Sequence, residues 1–154
     1  MLTSLGTNNI TLMHGDMFES KCQTITNPVN CKGVMGAGLA LLFKKKYPRM
    51  FYFYQQKCRD RELKLGEPYI WKETDPWILN FPTKYDWRNK SELVWISSGL
   101  NYLVKHYEKW GITSLAIPAL GCGLGDLSWV GVSNVTYLYA RRLNIPIEIY
   151  LPRP

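Results

Sequence analysis

Short apolar runs alternate along this chain with longer stretches whose apolar positions recur three and four residues apart. The first pattern predicts strands and the second predicts helices, each with one face turned to a core. Ile10 to His14 reads as a strand running into Gly15-Asp16. Thr24 to Pro28 reads as a second strand, stopped by its proline. Ala37 to Tyr47 places Leu39, Leu42 and Phe43 on one helical face and halts before Pro48. A further helix starts at Pro48, the favoured first helical position, and carries Phe51, Tyr54 and Cys58 at helical spacing.

Tyr69–Trp71 and Trp77–Phe81 read as two strands joined by a turn at Thr74-Asp75-Pro76. Ser91 is the expected N-cap of a helix whose stripe is Leu93, Ile96, Leu100, Leu103 and Tyr107, ended by Gly111. Ser114 to Pro118 is a nearly continuous apolar strand, as a buried parallel strand requires. Ser128 is the expected cap of a last helix with Trp129, Val132, Val135 and Tyr139 inward, and Ile147 to Leu151 is a final strand. Strands alternating with helices predict an α/β domain covered on both faces of its sheet. The pair around Pro76 adds an antiparallel element, so the sheet is expected to be mixed and mostly parallel. Ligands in such sheets sit beyond the carboxyl ends of the strands.

Composition narrows this picture. At 154 residues and 46% apolar, the chain suits one domain with a real core. No apolar run nears the roughly 20 residues of a membrane span, and no signal peptide is evident at Met1–Gly6, which points to a cytoplasmic protein with no membrane partner. Cys22, Cys31, Cys58 and Cys122 form no C-x-x-C pair, and only His14 and His106 can add imidazoles, so neither zinc nor any other cofactor is expected. Lysine and arginine number 19 against 12 acidic residues, a net charge of +7 that suits nucleic acid or phosphate-bearing ligands as well as an ordinary solvated face.

The candidate chemistry lies where polar or glycine-rich segments follow strands. Gly33-Val34-Met35-Gly36-Ala37-Gly38 and Gly121-Cys122-Gly123-Leu124-Gly125 both precede predicted helices. Helix N-termini offer unpaired N–H groups, and glycine lets backbone approach an anion. Two such loops on one sheet edge can hold a diphosphate from both sides. Neither is a P-loop, because G-x-x-x-x-G-K-[ST] is missing, and the glycine order is not the dinucleotide fingerprint G-x-G-x-x-G. Plain turns are the alternative for either loop.

Asn27 through Ala40, Gly15-Asp16 and Ile117 through Gly125 together resemble the binding loops of macrodomains, over nearly the whole chain. Gly33-Val34-Met35-Gly36, Phe43-Lys44-Lys45-Lys46, Asn80-Phe81-Pro82-Thr83-Lys84 and Gly121-Cys122-Gly123-Leu124 are most similar to the branch that holds DarG antitoxin macrodomains and the human terminal ADP-ribose protein glycohydrolase. The resemblance implies a three-layer α/β/α sandwich, one macrodomain over 1–154, and an ADP-ribose pocket. It implies that Asp16, with Met17 beside it, meets the adenine, that Asn30 meets the distal ribose, and that Asn27 supports the loop. It gives the backbone of Met35, Gly36, Ala37, Gly38 and Leu39, and that of Gly121, Cys122, Gly123, Leu124 and Gly125, to the diphosphate and distal ribose. The residue alternatives are helix capping for Asp16 and Asx-turn chemistry for the asparagines.

By the same resemblance Lys84 is the nucleophile, forming a Schiff base with the ring-opened sugar; a solvated loop lysine is the alternative. The human glycohydrolase pattern has an acidic residue directly after Gly-Cys-Gly-Leu, where this chain and DarG proteins have glycine. Asp126, one position on, is a candidate acid/base or a helix cap. Tyr85, Trp87 and Arg88 can stack bases and meet phosphates, or pack their loop onto the domain. The implied function is removal of ADP-ribose from a modified macromolecule: DNA first, with protein or RNA as alternatives. A non-catalytic ADP-ribose reader, an ADP-ribose 1″-phosphate phosphatase, and a nucleic-acid-binding domain without ADP-ribose affinity are the rival readings. A DNA ADP-ribosyltransferase toxin is the implied partner, although the chain leaves no room for the toxin-binding domain that DarG antitoxins usually carry.

Overall fold

The computed structural model describes residues 9–153. Within them the strands are β1 (Ile10–Met13), β2 (Thr24–Val29), β3 (Tyr69–Trp71), β4 (Trp77–Pro82), β5 (Leu115–Ile117) and β6 (Ile147–Tyr150). The α-helices are α1 (Gly38–Lys46), α2 (Pro48–Arg59), α3 (Leu93–Trp110) and α4 (Trp129–Ala140). The strands form one sheet in the order β1-β6-β5-β2-β4-β3, parallel except for the β3/β4 pair.

The period-two pattern of the strands builds two cores, one on each face. Leu79 and Phe81 of β4, Leu115 and Ile117 of β5, and Ile147 and Ile149 of β6 pack against Ile96, Leu100, Leu103 and Tyr107 of α3 and Val132 and Ala140 of α4. Their strand neighbours Ile25, Val29, Ile78, Ala116 and Tyr150 face the other way, onto Phe43 of α1 and Met50 and Tyr54 of α2. The result is the three-layer α/β/α sandwich that the alternation of elements implied.

Three local expectations change. Thr24–Pro28 does not stop at its proline: β2 continues to Val29, and Pro28 pairs with Phe81. The β5 ladder reaches only Thr24 and Ile25, and the Pro28 nitrogen faces that side beyond its end, so the missing N–H leaves no carbonyl unserved. Ser91 does not cap α3. Glu92 occupies the cap position without a side-chain bond, and Leu93, the first residue of the stripe, is exposed. Ser128 does occupy the cap position of α4, but its side chain makes no cap bond.

Candidate functional site

Because β1, β2, β4, β5 and β6 run the same way, the segments following them all emerge at one sheet edge. That edge therefore collects Gly15-Asp16 after β1, the first glycine loop after β2, Lys84 after β4 and the second glycine loop after β5. From β1 to β4 is four strand spacings, about 19 Å. Asp16 stands at one end of this row and Lys84 at the other, with the two glycine loops, on adjacent strands, between them.

Asp16 accepts a 2.9 Å hydrogen bond from the Phe18 N–H and caps a 3-10 turn at Met17–Glu19. The Arg153 guanidinium lies 4.0 Å from the same carboxylate oxygen, and nearly half of the Asp16 side chain stays exposed. Asp16 thus does the capping that the sequence allowed, and its other carboxylate oxygen has no partner among the described residues. Met17 is buried in the core, so only its backbone is available there.

The first loop is held from below. Asn30 has its Oδ1 on the Lys32 N–H at 2.9 Å and the Tyr54 hydroxyl at 2.9 Å, while its Nδ2 donates to the Val34 carbonyl at 2.7 Å. The Asn30 side chain is therefore the loop's internal brace, and one of its amide N–H groups is left over. Asn27 donates to Asn80 Oδ1 at 3.0 Å, a cross-strand pair in register, and lies against the Met35 sulfur. The Met35 side chain is buried too and leaves only backbone to the surface. Ala37 gives α1 no side-chain cap. The N–H groups of Gly36 through Ala40 have no acceptor among the described residues. They form an anion-accepting row at the positive end of α1.

The second loop is a stack of turns, with Cys122 N–H on Ala119 O, Asp126 N–H on Gly123 O and Leu127 N–H on Gly121 O. The N–H groups of Gly123, Leu124 and Gly125 are without an acceptor among the described residues. Ser91 lies beneath this loop rather than on α3. Its N–H donates to Gly125 O at 3.0 Å, and a Cβ on Gly125 would run into its hydroxyl and come within 2.6 Å of the Gly121 carbonyl. This explains the departure from the human pattern: no acidic side chain fits at position 125. Gly123 behaves differently. A Cβ there meets nothing within 4 Å and its φ is not left-handed, so neither packing nor conformation requires glycine.

Lys84 is only 9% exposed. Its Nζ donates to the Trp87 carbonyl at 3.1 Å and has no carboxylate within ion-pair distance among the described residues. Burial pushes its amine below the ordinary value, with Asp86 pulling it partway back. A lysine in this setting reaches the neutral, nucleophilic form more readily than a solvated one. The cysteines of the two loops offer no thiolate: burial drives Cys31 up to about 12 and raises Cys122. Asp126 sits at φ +64 with its carboxylate turned to solvent, 3.1 Å from Lys90 Nζ. It bridges the loops after β4 and β5 and makes no contact with Lys84.

Asn80, Tyr54 and Ser91 are the positioning residues that sequence reasoning missed. Asn80 carried a signal, being polar at a strand position of buried period. Tyr54 and Ser91 carried none, because their partners are distant in sequence.

A family model described as Macro domain matches residues 26–136. The DNA ADP-ribosyl transferase-DNA ADP-ribosyl glycohydrolase fusion protein of Thermosipho africanus is 43% identical over 165 residues, covering 95% of this chain and 42% of the relative. The chain thus spans about two-fifths of that protein's length. The solved structure of Thermosipho africanus DarTG in complex with ADP-ribose superposes with a TM-score of 0.92 at 45% identity, covering 96% of this chain and 42% of the other. The human ADP-ribose glycohydrolase OARD1 is 30% identical over 144 residues, covering 93% of this chain and 91% of its own. The sheet order, the two glycine loops and these matches agree: this chain belongs to the macrodomain family.

Proposed function

We propose that this macrodomain is an ADP-ribosyl glycohydrolase that removes ADP-ribose from nucleobases of DNA, with Lys84 as nucleophile. The observation that carries the reading is the buried Lys84 amine, which among the described residues has no carboxylate partner and stands at one end of a row of backbone N–H groups without acceptors. Asp16 takes the adenine and the two glycine loops take the diphosphate, which leaves the distal ribose at Lys84. The neutral Nζ attacks the anomeric carbon. The bond to the base breaks, and its electron pair leaves with the base, which gains a proton. Nζ loses one proton after the attack; its lone pair then expels the ring oxygen, which keeps the electron pair of the broken C–O bond and takes the second Nζ proton, and an open-chain Schiff base forms. Water hydrolyses it, releasing ADP-ribose and restoring the amine. The likeness to the human ADP-ribose glycohydrolase and the Thermosipho africanus DNA ADP-ribosyl glycohydrolase fusion supports the activity, and the latter supports the DNA substrate. The fusion in Thermosipho africanus supports a DNA ADP-ribosyltransferase as the opposing enzyme.

Lys84→Ala is expected to lower ADP-ribose release from base-modified single-stranded DNA by roughly 100-fold or more while calorimetry still shows ADP-ribose binding. Full release by this variant sinks the lysine mechanism. One observation favours a second reading, that of a non-catalytic reader: among the described residues no acid/base carboxylate pairs with Lys84, since Asp126 is held on Lys90. Tight ADP-ribose binding by the wild type without turnover on DNA or protein substrates selects the reader.

A further inference from the structure

The modified base must lie beside Lys84, so the rest of its polynucleotide must leave across whatever surface borders Lys84 away from the glycine loops. That surface is distinct in composition. Tyr85 and Trp87 follow Lys84 directly and are 51% and 49% exposed, so they do not pack the loop down as a buried cluster. The Arg88 guanidinium lies 4.9 Å from the Trp87 ring centroid, and the Lys32 ammonium lies 4.8 Å from that of Tyr85. The Cys31 N–H donates to the Tyr85 carbonyl at 2.8 Å, which locks this loop to the segment after β2. Beside Tyr85 opens a concavity of about 330 Å³ whose charged lining is Lys32, Arg59 and Arg61.

Those three cations form no ion pair among the described residues. Nearby Glu62 and Asp86 are engaged with Lys57 and Arg88 instead. Asp60, between the two arginines in sequence, offsets part of the charge. Exposed aromatic faces flanked by cations are the arrangement that binds single strands: bases stack on the rings and phosphates meet the cations.

We propose that Tyr85 and Trp87, together with the basic concavity of Lys32, Arg59 and Arg61, form a binding track for the single-stranded DNA that carries the modified base. This rests on the DNA reading above and extends it to a surface outside the ADP-ribose pocket. Lys84 is bonded to the Trp87 carbonyl, so the nucleophile and the track share one loop.

The test is fluorescence-anisotropy titration of the whole chain with an unmodified single-stranded DNA 12-mer across a salt series, with calorimetric ADP-ribose binding beside it. The double variant Arg59→Ala/Arg61→Ala is expected to bind the 12-mer about tenfold or more weakly. It should also lower the slope of log affinity against log salt by about 1.4, two phosphate contacts for a single strand. Its ADP-ribose affinity should be unchanged. Trp87→Ala is expected to lose single-strand affinity by about tenfold with little effect on a duplex of equal length. The proposal is overturned if the wild type does not bind the 12-mer, if neither variant weakens it, or if an RNA 12-mer binds tenfold tighter. None of these readouts needs turnover. Failure of the glycohydrolase reading would appear separately, as intact 12-mer binding with no ADP-ribose release.

Discussion

At the scale of single residues, the site depends on a few groups held away from their usual behaviour. Lys84 is the main one. Its folded-state proton affinity lies below the ordinary 10.5, because burial opposes the charge and Asp86 only partly compensates. Stability from the neutral amine is therefore present above 10.5 and is lost as pH falls through the depressed folded value. In the proposed mechanism the same titration controls the nucleophile. ADP-ribose release is expected to rise with pH through an inflection below 10.5, and Asp86→Asn should move that inflection to lower pH. A pH–rate series on both proteins checks this, and an unmoved inflection would remove Lys84 as its source. Gly123 makes a complementary case. Nothing among the described residues requires glycine there, so Gly123→Val should leave thermal stability within about 0.5 kcal/mol of wild type. It should weaken ADP-ribose binding by filling the space over the loop, which calorimetry reads directly.

Elements set these residues in place through contacts remote in sequence. Tyr54 of α2 is fully buried, and its hydroxyl lies 2.8 Å from the Asn30 carbonyl and 2.9 Å from the Asn30 side-chain oxygen. Removing that hydroxyl leaves buried acceptors short of a donor. Tyr54→Phe should cost about 1–3 kcal/mol in urea denaturation and lower ADP-ribose affinity by loosening the first loop. The second loop is limited by sterics instead. Gly125→Asp places a side chain against the Ser91 hydroxyl and the Gly121 backbone. It should destabilise by about 1–3 kcal/mol or more and confer no gain in release. The acidic residue of the human pattern therefore cannot simply be restored. It would need a different residue at position 91 and a different path for the loop.

For the molecule as a whole, one sheet direction gathers four segments, far apart in sequence, into one row. ADP-ribose at 100 times its dissociation constant should add about 2.7 kcal/mol of stability, roughly 5–10 °C in melting temperature for a domain of this size. An unmoved melting temperature would count against the pocket itself. The formal charge of +7 gains meaning at this scale, because part of the excess collects as unpaired cations beside the exposed aromatics. Among the described residues no helix is long and apolar enough to cross a membrane.

The amino-acid pattern alone determined the elements and their type. Period two and period 3.6 mark which faces must leave water, and proline and glycine mark where chains must turn, all of it within a few residues. That local information placed β1, α1, β3, β4 and β6 to within a residue of their bounds and α2 at its start, Pro48, and it picked out both glycine loops, while Lys84 was singled out only by the resemblance to macrodomains. Tertiary structure decided what pairing across distance controls. It carried β2 through Pro28, because the β5 ladder had already ended. It moved Ser91 from a cap to a floor under Gly121 and Gly125. It joined Asn27 to Asn80 and Asn30 to Tyr54, turned Asp126 outward onto Lys90, and left Tyr85 and Trp87 exposed. Burial, which lowers the Lys84 proton affinity, is likewise a property of neighbours brought in by the fold. A sequence lists residue types, but hydrogen-bond partners, exposure and steric room exist only once the sheet has assembled.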